Sequence, residues 1–219
     1  QVEKFWTNGA ERQEEFWRRI ERAMVQRKLE ATVATEGRLI SEGPACRMVV
    51  LNPQPRPESS ISAKSESLNN LSVVTELVCR EQRVLFTGDI EREALTRLTH
   101  SGNSAHIALL KVPHHGAKSS LERRWLETIR PAVGVVSAGR RNPYGHPAGE
   151  VLAAYQAVET QVWRTDRDGA IWADLDLTRQ ELSMHSTREW ILQPALTSAD
   201  IWSVEQDNLR RLWRRWNWT

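Results

Sequence analysis

ALLKVPHHGAKSS, residues 108–120, is the stretch around which the chain is organised. It opens in a short apolar run, Ile107 to Val112, with the composition of a buried strand. Pro113 carries no N–H and ends the ladder, so the strand delivers two adjacent histidines, His114 and His115, into a loop. Gly116 lets the backbone turn, and Lys118, Ser119 and Ser120 lead toward a helix. Side chains at the end of such a strand sit at the edge of a sheet, where α/β proteins build their sites. Two other apolar runs end the same way. VLFTGDIE (84–91) carries Asp89 past a strand, and GRRNPYGHP (139–147) carries His146 past another.

Upstream, Val2 to Trp6 alternates weakly and stops at Asn8-Gly9, which predicts a strand and a turn. Glu11 to Leu29 has Phe16, Ile20, Met24 and Val25 near helical spacing and reads as a charged amphipathic helix. Ala31 to Ala34 and Arg47 to Leu51 read as strands, with turns at Gly37 and Gly43-Pro44 between them. Asn52 to Leu68 is rich in Pro, Ser and Glu and reads as an irregular, exposed loop. Leu71 to Val78 and Arg83 to Thr87 form a hairpin about Arg80-Glu81-Gln82. Helix Ile90–Thr99, strand Ala105–Val112, helix Leu121–Ile129, strand Ala132–Ser137 and helix Glu150–Glu159 follow. Short strands Gln161–Arg164 and Ala170–Leu175 close the series. The order from Leu71, ββαβαβαββ, is that of a layered α/β domain without internal repeats.

Composition sets outer limits. The chain has 219 residues, 40% hydrophobic and 26% charged, enough for one core and a small appendage, and its net charge of +2 selects no partner. No run approaches the ~18 apolar residues of a membrane span. No signal peptide is visible and the first residue is Gln1, so the chain is expected to be a piece of something longer. Cys46 and Cys79 lie inside apolar runs and are either buried free thiols or a disulfide. Residues 1–177 make the expected α/β domain and 178–219 a C-terminal extension. In that extension DNLRRLWRRWNWT (207–219) puts Leu209, Leu212, Trp213 and Trp216 on one helical face and Arg210, Arg211, Arg214 and Arg215 on the other. Such a helix docks on the domain by its tryptophans, or meets a membrane interface or nucleic-acid phosphates.

The chemistry turns on what Asp89, His114, His115 and His146 do together. Imidazole and carboxylate hold Zn²⁺ or Mn²⁺, and a carboxylate can bridge two ions. Two ions roughly 3.5–4 Å apart can clamp the attacking and leaving oxygens of a phosphodiester. Taken singly, Asp89 is explained as a helix cap and His146 as a solvated loop residue. Adjacent histidines before a glycine suit neither a core strand nor an ordinary turn. Three strand ends carrying Asp, His-His and His point to a metal or phosphate site. Lys118, Ser119 and Ser120 offer phosphate contacts at the start of a helix, although plain N-capping by a serine explains them as well. Arg140, Arg141 and Arg167 are either a basic rim for nucleic acid or simply solvated.

The run NNLSVV (69–74), VLFTGDIE, LLKVPHHGAKSS, RPAVGVVSAGRRNPYGHP (130–147) and VWRTDRDGAI (162–171) resembles the C-terminal metallo-β-lactamase-fold domain of ComEC-type proteins. These are membrane channel proteins that bring single-stranded DNA into naturally competent bacteria. The resemblance spans about residues 69–171 and implies a four-layer αββα sandwich. It implies that Asp89 is a metal-bridging aspartate and that His114 and His115 form the later histidine motif. Zn or Mn would be the metal, with His146 also a ligand and Asp89 and His115 in catalysis. The loop Asn142 to Pro147 would close the site, with Asn142 and Tyr144, like Lys118 and Ser119, facing substrate. The implied activity is metal-dependent phosphodiester hydrolysis of the DNA strand that is not imported, by a metal-bound hydroxide. Implied partners are single-stranded DNA, the membrane channel portion of the same protein and other competence proteins. The implied setting is a bacterial inner-membrane protein whose domain here is soluble and extracytoplasmic.

One departure changes the expectation. Such domains carry an earlier HxHxDH or HxDxDH motif that supplies most metal ligands, and none of the histidines at 100, 106, 114, 115, 146 and 185 lies in one. Val2 to Gly9 resembles the segment that follows it. The domain is therefore expected to lack its first strands and that motif, and this chain alone to be inactive. Two alternatives stay open: a non-catalytic DNA-binding or scaffolding domain of the same channel, and a free-standing hydrolase of the same fold.

Overall fold

A computed structural model describes residues 2–10, 15–55, 67–100 and 106–188. Its centre is the hairpin of β5 (Val74–Cys79) and β6 (Gln82–Phe86), closed by Arg80 at a φ of 55°. β4 (Cys46–Asn52) adds antiparallel to β5, and β3 (Leu39–Glu42) adds antiparallel to β4. On the other side β6, β7 (Leu109–Lys111), β8 (Val133–Val136) and β9 (Gln161–Arg164) are all parallel. Parallel neighbours need crossovers, and α2 (Arg92–His100), α3 (Arg123–Ile129) and α4 (Gly149–Ala157) provide them. The seven strands run in the order β3-β4-β5-β6-β7-β8-β9. The fold is thus the α/β class the alternation predicts.

One core joins the helices to the sheet. Ala94, Leu95 and Leu98 of α2, Trp125, Leu126 and Ile129 of α3, and Val151, Ala154 and Tyr155 of α4 pack with Val74, Leu85, Leu110 and Val136. Strand register explains this: Leu85 pairs with Leu110, and Leu110 with Gly134, so the three share a face. Leu95 and Leu110 are fully buried, each contributing about 2 kcal/mol. On the same face Glu76, 3% exposed, accepts two hydrogen bonds from the Arg83 guanidinium at 2.8 and 2.7 Å. That hydrogen bonding to Glu76 raises the Arg83 pKa further.

Two smaller sheets complete the described residues. β1 (Phe5–Thr7) pairs parallel with β2 (Ala31–Val33), and α1 (Glu15–Gln26) lies between them in sequence. β10 (Ile171–Asp176) pairs antiparallel with β11 (Glu181–Ser186), after the single turn α5 (Thr165–Asp168). The hairpin crosses the boundary drawn at residue 177, and Gln82 Nε2 donates to Gln180 O at its tip.

Several local expectations are corrected. β3 and β11 were not expected: β3 lacks the alternation that marks a half-buried strand, and that of β11 is too brief to stand out. β3 lies at the sheet edge, largely exposed. Leu71 to Val73 is not strand. Leu68–Leu71 is a 3₁₀ turn, pinned because buried Asn70 donates to Glu93 Oε2 and accepts from Glu91 N. Asn52 is no exposed loop residue: it is 2% exposed and donates to Asn70 O and Ser72 O. Residues 56–66 of the expected loop, and the expected helix at 207–216, lie outside the described residues. Lys118–Ser120 is a separate 3₁₀ turn, and α3 is capped by Glu122, whose side chain accepts from Arg124 N, not by a serine. Cys46 and Cys79 are not free thiols. They face each other across β4 and β5 and form a disulfide.

Arg83→Met leaves the Glu76 carboxylate buried without its guanidinium. The substitution should cost about 3 kcal/mol in urea unfolding, and a loss below about 1 kcal/mol, the scale of an exposed pair, would contradict the buried-pair assignment.

Candidate functional site

Because β6, β7 and β8 are parallel, their carboxyl ends open on one edge of the sheet. Asp89 follows β6, the histidine pair follows β7, and the His146 loop follows β8. The first two ends are tied directly. Thr87 Oγ1 donates to Lys111 O at 2.8 Å, and His114 N donates to Gly88 O at 3.2 Å. Asp89 N donates to Ser72 Oγ, which anchors the loop to the start of β5.

The turn Pro113–Gly116 then does something unusual. His114 and His115 both have left-handed backbones, with φ of 43° and 56°. Two consecutive non-glycine residues there cost about 1–2 kcal/mol each, and strain of this kind concentrates at functional sites. Gly116 continues the turn at φ 78°, where a Cβ would lie 2.6 Å from Pro147 Cβ. That contact, with Ala148 N donating to Gly116 O, seats the His146 loop against the histidine turn.

The four expected residues are brought together. His115 Nε2 lies 3.4 Å from Asp89 Oδ1. The His114 ring is centred 6.2 Å from His115 and 6.0 Å from His146. Tyr144 stacks on His146 with ring centroids 5.8 Å apart, and the residue is 78% exposed. Asn142 holds that loop: its Nδ2 donates to His146 O while His146 N donates to its Oδ1. Ser119 Oγ donates to Glu91 Oε1 and Lys118 pairs with Glu150 at 3.1 Å, so both expected phosphate contacts are engaged with carboxylates. Asp89 faces His115 and Lys111 rather than capping α2.

Three contributors were not read from the sequence. Lys111 Nζ lies 3.6 Å from Asp89 Oδ1 and donates to Gly88 O. Burial pulls its pKa below the usual lysine range, against the opposing pull of Asp89. Its one signal was a charge inside an apolar strand. Glu91 Oε1 lies 3.4 Å from His114 Nδ1, a buried nitrogen that makes no hydrogen bond. The Ser137 carbonyl lies 2.6 Å from His115 Nδ1. A carbonyl only accepts, so Nδ1 carries the proton and Nε2 is left toward Asp89. That orientation by an outer partner is typical of a metal-binding histidine.

A divalent cation fits one end of this arrangement by donor chemistry, since the His115 Nε2 lone pair facing a carboxylate calls for a second proton or a cation. The fit stops there. Among the described residues no group of three or more His, Cys, Asp or Glu side chains is arranged to hold an ion. These residues alone do not make a metal centre.

Part of the chain is similar to known proteins. No family model matches the chain. It is 33% identical over 105 residues to ComE operon protein 3 of Bacillus subtilis, a match covering 48% of this chain and 14% of that protein. It is 30% identical over 105 residues to Recombination protein 2 of Haemophilus influenzae, covering 48% and 13%. Over these 105 residues the chain is similar to ComEC-type proteins, at low identity. It spans a small part of the length of these relatives. A third relative is the uncharacterized protein YcaI of Escherichia coli, 29% identical over 133 residues, covering 60% of this chain and 17% of that one. A candidate metal-dependent hydrolase from Parabacteroides distasonis superposes with a TM-score of 0.40 at 12% identity, over 67% of this chain and 62% of that one.

The His146 pKa lies below the usual imidazole range, through burial first and then the nearby His114 and His115. A depressed imidazole pKa means the unfolded chain takes up the proton first. Stability is therefore lost as pH falls from the ordinary histidine range through the folded pKa. His114→Ala removes one of the like charges, so the His146 midpoint in a proton NMR titration should move up. An unmoved midpoint would contradict a shared site.

Proposed function

We propose that this ComEC-type domain works in DNA uptake as the phosphodiesterase-like portion of a longer membrane protein. The observation that carries the reading is the convergence of a carboxylate and three imidazoles at adjacent parallel strand ends. The kinship with ComE operon protein 3 and Recombination protein 2 supports it. In this reading Asp89, His114, His115 and His146 supply part of a Zn or Mn ligand set. Ligands from outside the described residues complete it. Asp89 and His115 take the catalytic positions, single-stranded DNA is the substrate, and the channel portion and other competence proteins are the partners.

Among the described residues no helix is long and apolar enough to cross a membrane. The Cys46–Cys79 disulfide supports an extracytoplasmic position, because such bonds persist in oxidising compartments.

A second reading is favoured by one observation. Lys111 places a fixed cation against Asp89, which suits a domain that binds DNA or scaffolds the channel without cutting.

The two readings agree that the 219-residue chain by itself does not cleave. Incubated with single-stranded DNA and Mn²⁺ or Zn²⁺, it should leave the DNA intact. Metal-dependent degradation that disappears in Asp89→Ala would overturn this. A longer polypeptide that cuts DNA, and stops cutting in Asp89→Ala, would favour the enzyme. One that binds DNA but never cuts would favour the non-catalytic reading.

A further inference from the structure

We infer that Tyr144, flanked by Arg140 and Arg141, is a stacking platform for an unpaired base of a single-stranded nucleic acid. This inference rests on the DNA reading above and adds where the strand is held. Most aromatic rings on a folded surface are partly covered, yet Tyr144 is 78% exposed at the lip of the candidate site. Its ring lies nearly parallel to that of His146, at an interplanar angle of 18° with centroids 5.8 Å apart, and the high exposure of the residue leaves the ring accessible to a ligand.

The loop beneath is braced rather than loose. Asn142 N and Nδ2 both donate to Gly139 O, and the same amide bonds His146 at its N–H and its carbonyl. Arg140 and Arg141 on this loop are exposed and have no ion-pair partner among the described residues. A preformed flat ring beside two unneutralised guanidiniums matches a strand whose base faces are open and whose phosphates run alongside. Paired bases present no free face at a lone ring, which selects the single strand.

The test uses the 219-residue chain and fluorescence anisotropy with two probes of about sixteen nucleotides. One is oligothymidine, and the other has the same backbone without bases. Tyr144→Ala should weaken oligothymidine binding about tenfold and leave the abasic probe unchanged. Tyr144→Phe should restore wild-type binding, because the ring and not the hydroxyl does the stacking. Arg140→Ala with Arg141→Ala should weaken both probes alike. The exposed ring is outside the core, and a thermal melt of Tyr144→Ala checks that the fold is kept.

If the wild type binds and Tyr144→Ala affects neither probe, or both equally, the stacking platform is wrong while the DNA reading stands. A wild type that binds neither probe overturns the platform and counts against the DNA reading as well.

Discussion

The site depends on three strands running the same way. β6, β7 and β8 are parallel neighbours, so each hands its next residues to the same edge. The antiparallel half of the sheet, β3 to β6, sends its loops to alternating edges and brings no such cluster. Helices α2, α3 and α4 make the parallel order possible and fill the core that holds it. The two-histidine turn after β7 spends backbone strain at this edge. It persists because Gly88 O, Pro147 and Ser137 O over-determine it.

The electrostatics at that edge are unbalanced in a particular way. Asp89 faces a half-buried ammonium on one side and an imidazole nitrogen on the other. Glu91 faces the other histidine of the pair and also receives Ser119. Acidic and basic groups alternate closely without forming the compact donor group an ion needs among the described residues. In the proposed function these groups form one side of a larger site. In the proposed function, whether DNA is cut or only held depends on what joins Asp89 from elsewhere.

Much of this was legible in the residues because apolar runs ending at Gly-Asp, Pro-His-His and Gly-His mark strand ends. Parallel neighbours then gather strand ends. Lys111 was not legible, because a lysine in a strand reads as solvent-facing until the opposite carboxylate is known. Glu91 was hidden for a related reason: it falls in the first turn of the expected helix Ile90–Thr99, where an acidic residue reads as solvated. The disulfide needed the pairing of β4 with β5, since two cysteines 33 residues apart carry no partner information alone. β11 was missed because Glu181, Ser183 and His185 alternate with Leu182 and Met184 too briefly to stand out beside the turn at Thr178.

Asp89 and the histidine turn form one unit, with His115 aimed by Ser137. Nitrogen NMR of histidine-labelled protein tests it most directly. His115 should carry its proton on Nδ1, and Asp89→Asn should shift the His115 Nε2 signal while leaving His185 unchanged. A His115 that is protonated on Nε2 alone, or whose signal ignores Asp89→Asn, would contradict it.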